Sequence, residues 1–554
     1  MSLLIEKIRA NLIGEQHPIS TPFGQKPLIY MDYTASGRSL QFVEDFMRHR
    51  VMPNYANTHS ESSFTGRQMT LLREQARQQI RSAVNGSEQH KVIFCGTGAS
   101  AAIDKLVGVL GLRIPSALNQ RYHFCDQIPD LERAVVFIGP YEHHSNDLMW
   151  RESTAKTVRI GLTLDGFIDI KQLQQELERH ADHKLKIGTF SAASNVTGLK
   201  SDVAGITHLL HCYGALSFWD YAAAAPYVGI DMNTIGMDAI FLSPHKLVGG
   251  PGTPGVLVAH ERLFMNAVPV VPGGGTVDYV SDFKQTYLSN IEAREEGGTP
   301  GILESIRAGI VFRLQQQVGT RVIEAKERSF VTRAIARWQG HANINLLGNL
   351  SADRLAIISF CMSHEGEELH FGFVVALLND LFGIQARGGC SCAGPYGHRL
   401  LDIDDTTSLA LEAQMRSGDN FAKPGWTRMN FNYFLDEGTF DYVLTAVEII
   451  AEQGYRLLPA YEFNSATSTW NYRGQTLPSP VCLEDAFGDH QSPAPAAAWD
   501  FTALLAEART KLEQATREAD WQKPLHRSPS ATPGCLQRDL EPLATEPATS
   551  ADGD

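Results

Sequence analysis

From Lys91 to Ala259 the chain alternates short apolar runs with helical patterns, and that alternation constrains its fold more than any other feature. The runs are Val92–Cys95, Ala134–Ile138, Leu185–Phe190, Ala215–Trp219, Ala239–Leu242 and Val256–Ala259, rich in β-branched and aromatic residues. Between them lie helical patterns such as 168–180 and 202–213, the latter stopped at Gly214. Strands that alternate with helices predict an α/β domain built on a mixed, mostly parallel sheet. Such sheets bind ligands in the crevice beyond the C-terminal ends of their strands, so the residues just past each run are the ones to read for chemistry.

The rest of the chain divides around this core. Residues 1–60 read as an N-terminal segment packing on a smaller domain, with Leu4, Ile8 and Leu12 at helical spacing. The large domain is expected over 61–305, opening with the helical stripe Met69, Leu72, Ala76, Ile80 and Val84. A long helical pattern from Ile302 to about Gly340 leads into a smaller α+β domain over 306–460, with a strand near 355–360 and a last helix from Phe440 to about Leu458. An extension over 461–521 contains one possible helix, 498–508. Pro, Ala, Ser, Thr and Glu dominate 522–554, which predicts a disordered tail.

Net charge is −14 with no long basic block, which argues against nucleic acid or an anionic membrane as partner. No apolar run reaches the length of a membrane span, and the start lacks the features of a signal peptide. Eight cysteines in 554 residues are too sparse for a disulfide framework. The expectation is a cytoplasmic protein with reduced thiols.

Polar residues stand past the runs in a telling order. Gly96-Thr97-Gly98-Ala99 opens a helix, and a glycine-rich turn into a helix N-terminus suits an anion such as phosphate. Past 134–138 come Glu142, His143 and His144; one imidazole could stack on a cofactor ring or move protons, or the pair could lie on the surface. No matching Cys/Glu spacing makes a metal site. Past 185–190 comes Asn195, a neutral amide. Past 215–219 comes Asp220, which could meet a protonated ring nitrogen or simply cap a helix. Past 239–242 come Ser243, His245 and Lys246, and a lysine amine there can form a Schiff base with the aldehyde of pyridoxal 5′-phosphate (PLP). The competing reading is a surface lysine in a glycine-rich turn. The ordered company makes the cofactor reading the stronger one.

This order, with its local sequences, resembles the class V aminotransferase family of fold-type I PLP enzymes, and within it the cysteine desulfurase and selenocysteine lyase branch. The likeness covers roughly 20–455. It includes Tyr30-Met-Asp-Tyr-Thr-Ala-Ser36, Glu142-His-His-Ser-Asn146, Ser194-Asn-Val-Thr-Gly198, Asp220 with Ala225-Pro226, Ser243-Pro-His-Lys246, Arg294-Glu-Glu-Gly-Gly-Thr-Pro300 and Arg387-Gly-Gly-Cys-Ser-Cys-Ala393. The resemblance implies that Lys246 carries the cofactor, Asp220 meets its ring nitrogen and His143 stacks on the ring. It implies that Thr97, Gly98, Ala99, Ser243 and His245 hold the phosphate, and that Thr299 reaches the cofactor of a second subunit, hence a homodimer. Asn195 and Arg387 would bind the α-carboxylate of a small amino acid; a guanidinium fork independently suits that role.

Cys390-Ser-Cys392 decides the reaction. In the desulfurase pattern Cys392 would attack the sulfur of bound cysteine, keep it as a persulfide for a sulfur-acceptor protein and release alanine, with Cys390 able to resolve it or to form a disulfide. Two small residues in a glycine-rich loop would look the same, and two thiols alone are an incomplete metal site. The sequence departs from the family at Ala223, where a Gln usually bonds the cofactor, at Pro244, where a small residue is usual, and in the tail. An aminotransferase, a carbon–sulfur lyase without a nucleophilic cysteine, and a non-catalytic scaffold therefore stay open.

Overall fold

The computed structural model describes residues 2–58, 60–474, 481–488 and 499–518. The expected disordered tail, 522–554, lies outside them. The six apolar runs form strands β1 (His90–Cys95), β2 (Val135–Ile138), β4 (Lys186–Ser191), β5 (Leu216–Asp220), β6 (Ala239–Leu242) and β7 (Gly255–His260). A seventh strand, β3 (Lys156–Arg159), has no apolar run to announce it; it is a partly exposed edge strand, where polar residues are tolerated. The order across the sheet is β1-β7-β6-β5-β4-β2-β3. All neighbours are parallel except β7, which runs against both β1 and β6. Both faces are buried: along β2, Val135 and Phe137 enter one core and Val136 and Ile138 the other.

The smaller sheet is antiparallel, β8 (Ile344–Leu346), β9 (Ile357–His364), β11 (Trp426–Asn430) and β10 (Arg387–Gly389) in that spatial order, with Glu367–Leu369 added to β9. Ile29 and Tyr30 pair in parallel with Ile384 and Gln385, and Ile29 and Met31 enter the core behind the smaller sheet, whereas Ile5, Ile8, Tyr33, Leu40, Val43, Met47 and Val51 enter the core of the large sheet, so the N-terminal segment packs on both parts rather than on the smaller one alone. The expected single helix over 302–340 is two, α1 (Ile302–Val318) and α2 (Thr320–Trp338), broken where Gly319 takes φ +86°. The extension helix is longer than its apolar pattern suggested, α3 (Phe501–Glu518). It buries Leu504, Ala508 and Leu512 in the core behind the smaller sheet and bonds Glu507 to the buried Lys26 at 2.8 Å.

Candidate functional site

Strands β2, β4, β5 and β6 are neighbours and parallel, so their C-terminal ends open on one crevice. β6 ends at Leu242, and one 3₁₀ turn, Pro244–Lys246, follows Ser243. The turn is pinned from both sides. Gly37 N–H donates to the His245 carbonyl at 2.8 Å, and Gly250 lies so close that a Cβ there would sit 2.1 Å from the Pro244 oxygen. Lys246 is half-buried. Burial pushes its amine down to about 8, against the Asp220 carboxylate and with help from the Arg428 guanidinium. An amine held near neutrality is a competent nucleophile and proton carrier.

Asp220 closes β5 and is 5 % exposed. No helix begins there, so it is not an N-cap; its Oδ1 accepts from Ala222 N–H at 2.8 Å. Burial raises its pKa, opposed by that N–H and by Lys246. Ala223 beside it is buried and brings no polar group.

His143 precedes the helix Ser145–Arg151, and its Nδ1 accepts from Ser145 N–H at 3.2 Å. Burial first, then the Lys246 charge, drops its pKa to about 4, so the ring is neutral at pH 7 with its proton on Nε2. Glu142 ties β2 to β4, accepting from Ser191 N–H (2.8 Å), Ser191 Oγ (2.6 Å) and Asn146 Nδ2 (2.6 Å). Burial outweighs those bonds and pushes its carboxyl up to about 7.

Past β1, Gly98 has φ +55° at the start of the helix Gly98–Val109. A Cβ on it would lie 3.0 Å from His245 Cε1 and 3.1 Å from Ser243 Oγ. Ser243 Oγ accepts from Ala99 N–H at 2.9 Å. Gly98, Ala99, Ser243 and His245 thus form one small cradle at a helix N-terminus, with Thr97 exposed on its rim. The hydroxyls of Ser100 and Ser145 join it to the His143 turn. Amine, buried carboxylate, imidazole and anion cradle together could hold a flat aromatic aldehyde that carries a phosphate.

On the small-domain side Arg387 and Arg428 are cross-strand partners on β10 and β11. Like charges opposed on a sheet repel, and Asp32 resolves the conflict. Its Oδ2 accepts from Arg387 Nε at 2.8 Å and its Oδ1 from Arg428 Nη2 at 2.9 Å. Arg428 Nη1 donates to the Asn195 carbonyl at 3.0 Å. Arg428 is 3 % exposed, whereas the Arg387 side chain is 47 % exposed. Asp32 and Arg428 are the residues the sequence reading missed. Their signal was an arginine inside the apolar strand Trp426–Asn430, because a buried guanidinium demands a carboxylate.

Cys392 is exposed and Cys390 half-buried. Ser391 and Cys392 both take left-handed backbone, φ +51° and +56°. Asn195 Nδ2 donates to the Ser391 carbonyl at 2.8 Å, which ties this loop to the crevice. Thr299 is exposed in a turn and shares no hydrogen bond with these groups among the described residues. No cluster of three or more metal-ligating side chains occurs among the described residues.

The family model for aminotransferase class-V matches residues 29–416. A protein named "Probable cysteine desulfurase" from Halalkalibacterium halodurans is 28 % identical over 393 residues, 70 % of this chain and 88 % of its own. One of the same name from Streptomyces coelicolor is 27 % identical over 373 residues, 66 % of this chain and 84 % of its own. Among solved structures, the apo cysteine desulfurase of Thermococcus onnurineus superposes with a TM-score of 0.63 at 22 % identity, over 81 % of this chain and 98 % of its own. A cysteine desulfurase of Escherichia coli gives 0.61 at 20 % identity with the same coverage. These two likenesses establish the fold.

Proposed function

The chain belongs to the class-V aminotransferase family, and on that premise we propose that it is a PLP enzyme that takes sulfur from cysteine, releases alanine and leaves a persulfide on Cys392. PLP bound in the crevice supplies an electron sink for bond cleavage at the substrate's α and β carbons. Lys246 would hold it through Nζ, Asp220 would face its ring nitrogen and His143 would lie against its ring. Thr97, Gly98, Ala99, Ser243 and His245 would hold its phosphate. Asn195 and Arg387 bind the substrate carboxylate; Arg387 is already half-turned to solvent, so the carboxylate can replace Asp32 as its partner. Lys246 Nζ, near neutrality through burial, takes and returns the proton. Cys392 Sγ, as thiolate, forms an S–S bond to the substrate sulfur while the substrate's C–S bond breaks. The C–S electron pair stays with the three-carbon fragment, which is protonated and leaves as alanine.

The reading includes a homodimer, in which Thr299 reaches the partner's cofactor, a cytoplasmic location and a protein that accepts the sulfur. No helix among the described residues is long and apolar enough to cross a membrane. The observation that carries the desulfurase reading over a lyase or aminotransferase is Cys392: an exposed thiol on a loop bonded to Asn195. Incubation with cysteine is expected to give alanine, and sulfide when a reductant is present. Cys392→Ala should lose sulfur transfer; full transfer by that variant would sink the mechanism.

A further inference from the structure

His144 stands next to the ring-facing His143 and turns the other way. Their ring centroids are 6.3 Å apart. Nδ1 of His143 accepts a hydrogen bond within its own turn, whereas Nε2 of His144 accepts from Gly394 N–H at 3.0 Å. A ring nitrogen that accepts carries no proton, so neutral His144 is protonated on Nδ1, the opposite tautomer to His143. Burial keeps His144 below the ordinary imidazole pKa, opposed by Asp147 and reinforced by Lys423.

His144 also occupies the N-cap of the helix Ser145–Arg151, yet its side chain makes no cap bond. Caps are usually Ser, Thr, Asp or Asn, whose side chains bond the first turn. Here the imidazole is spent on the cysteine loop instead. Its backbone N–H is spent there too, donating to the Cys392 carbonyl at 2.8 Å. One residue therefore grips the loop at Cys392 and at Gly394. Between Asn195 on one side and His144 on the other, Ser391 and Cys392 stay in left-handed backbone, which non-glycine residues leave unless their surroundings hold them. The buried Ser391 Oγ has no hydrogen-bond partner, so that side chain does not supply the hold.

We propose that His144 is a positioning residue that latches the Cys390–Gly394 loop onto the cofactor crevice through its N–H and its Nε2, and so fixes where Cys392 presents its thiol. The consequence for sulfur transfer rests on Cys392 as the acceptor; the latch itself does not.

The test is amide hydrogen exchange over the peptide that contains 390–397, with steady-state cysteine turnover, in full-length PLP-loaded protein and its variants. His144→Leu keeps bulk and removes the acceptor. It should speed exchange at Gly394 by about fivefold or more, the worth of one net hydrogen bond. Its kcat should fall by a similar factor while KM for cysteine and the cofactor absorbance hold. His144→Gln, whose Oε1 can accept from Gly394 N–H, should restore most of both. Gly394→Ala puts a methyl 3.2 Å from His144 Nε2 and should give a smaller acceleration, which carries the test if the leucine variant does not fold. Unchanged exchange in His144→Leu, or in Gly394→Ala where it stands in, overturns the latch. So does a His144→Gln variant as loose as His144→Leu. The expected exchange pattern in a protein that does not turn over cysteine would remove the desulfurase reading and leave the latch standing.

Discussion

The crevice has two walls built on different physics. The strand-end wall is buried and over-determined: Glu142 alone receives three hydrogen bonds, two from Ser191 at the end of β4 and one from Asn146, and the Lys246 turn is pinned by Gly37 and admits no side chain at Gly250. The cysteine wall is exposed, takes two left-handed residues in succession and is held by a few bonds from Asn195 and His144. A group that holds a cofactor gains from rigidity. A group that must meet a substrate and then hand its atom to another protein must be able to leave, and a strained loop on few tethers can do so. Burial accordingly perturbs the titration of Lys246, Asp220 and His143 on the first wall.

If that contrast holds, the largest effect belongs to the first wall. Lys246→Ala should abolish turnover and the cofactor absorbance together, a loss of at least about a thousandfold for removal of a covalent anchor and proton carrier. Next comes the junction of the walls. Asp32→Ala leaves two opposed guanidinium groups, one of them buried, and should cost about 3–5 kcal/mol in urea unfolding. Arg387→Met, by contrast, removes a half-exposed partner and should cost under about 1 kcal/mol in stability. It should still raise KM for the amino acid strongly. Equal stability losses in the two variants would erase the distinction.

A pH prediction has the smallest effect. His143 and His245 are both held at about 4 in the folded protein, below the ordinary 6.5, by burial and then by Lys246. The unfolded chain therefore binds more protons between those values, and stability contributed by the neutral rings is lost as pH falls from about 6.5 towards 4. Thermal unfolding of cofactor-free protein at pH 7 and pH 5 should show the drop, and His245→Asn should shrink it. A drop unchanged by that substitution would assign the acid sensitivity elsewhere.

What could be read from the sequence was what repeats or clusters along it. Six of the seven large-sheet strands are apolar runs, and the polar residues behind them mark the crevice because parallel strands end on the same edge. β3 escaped because an edge strand needs no apolar alternation, and α1 and α2 read as one helix because a single glycine in left-handed backbone does not interrupt an apolar pattern. Asp32 and Arg428 escaped for a different reason: they are 396 residues apart, and only the closure of the N-terminal segment onto the small sheet makes them partners. The coupling of His144 to Gly394 is likewise a product of tertiary packing, across 250 residues.

The central claim is that sulfur passes from cysteine to Cys392, and mass spectrometry of the peptide containing Cys392 after a single turnover tests it most directly. The account predicts the mass gain of one sulfur atom on Cys392, removable by reductant, with an equivalent of alanine formed. An equivalent of alanine alongside an unmodified Cys392 would contradict it.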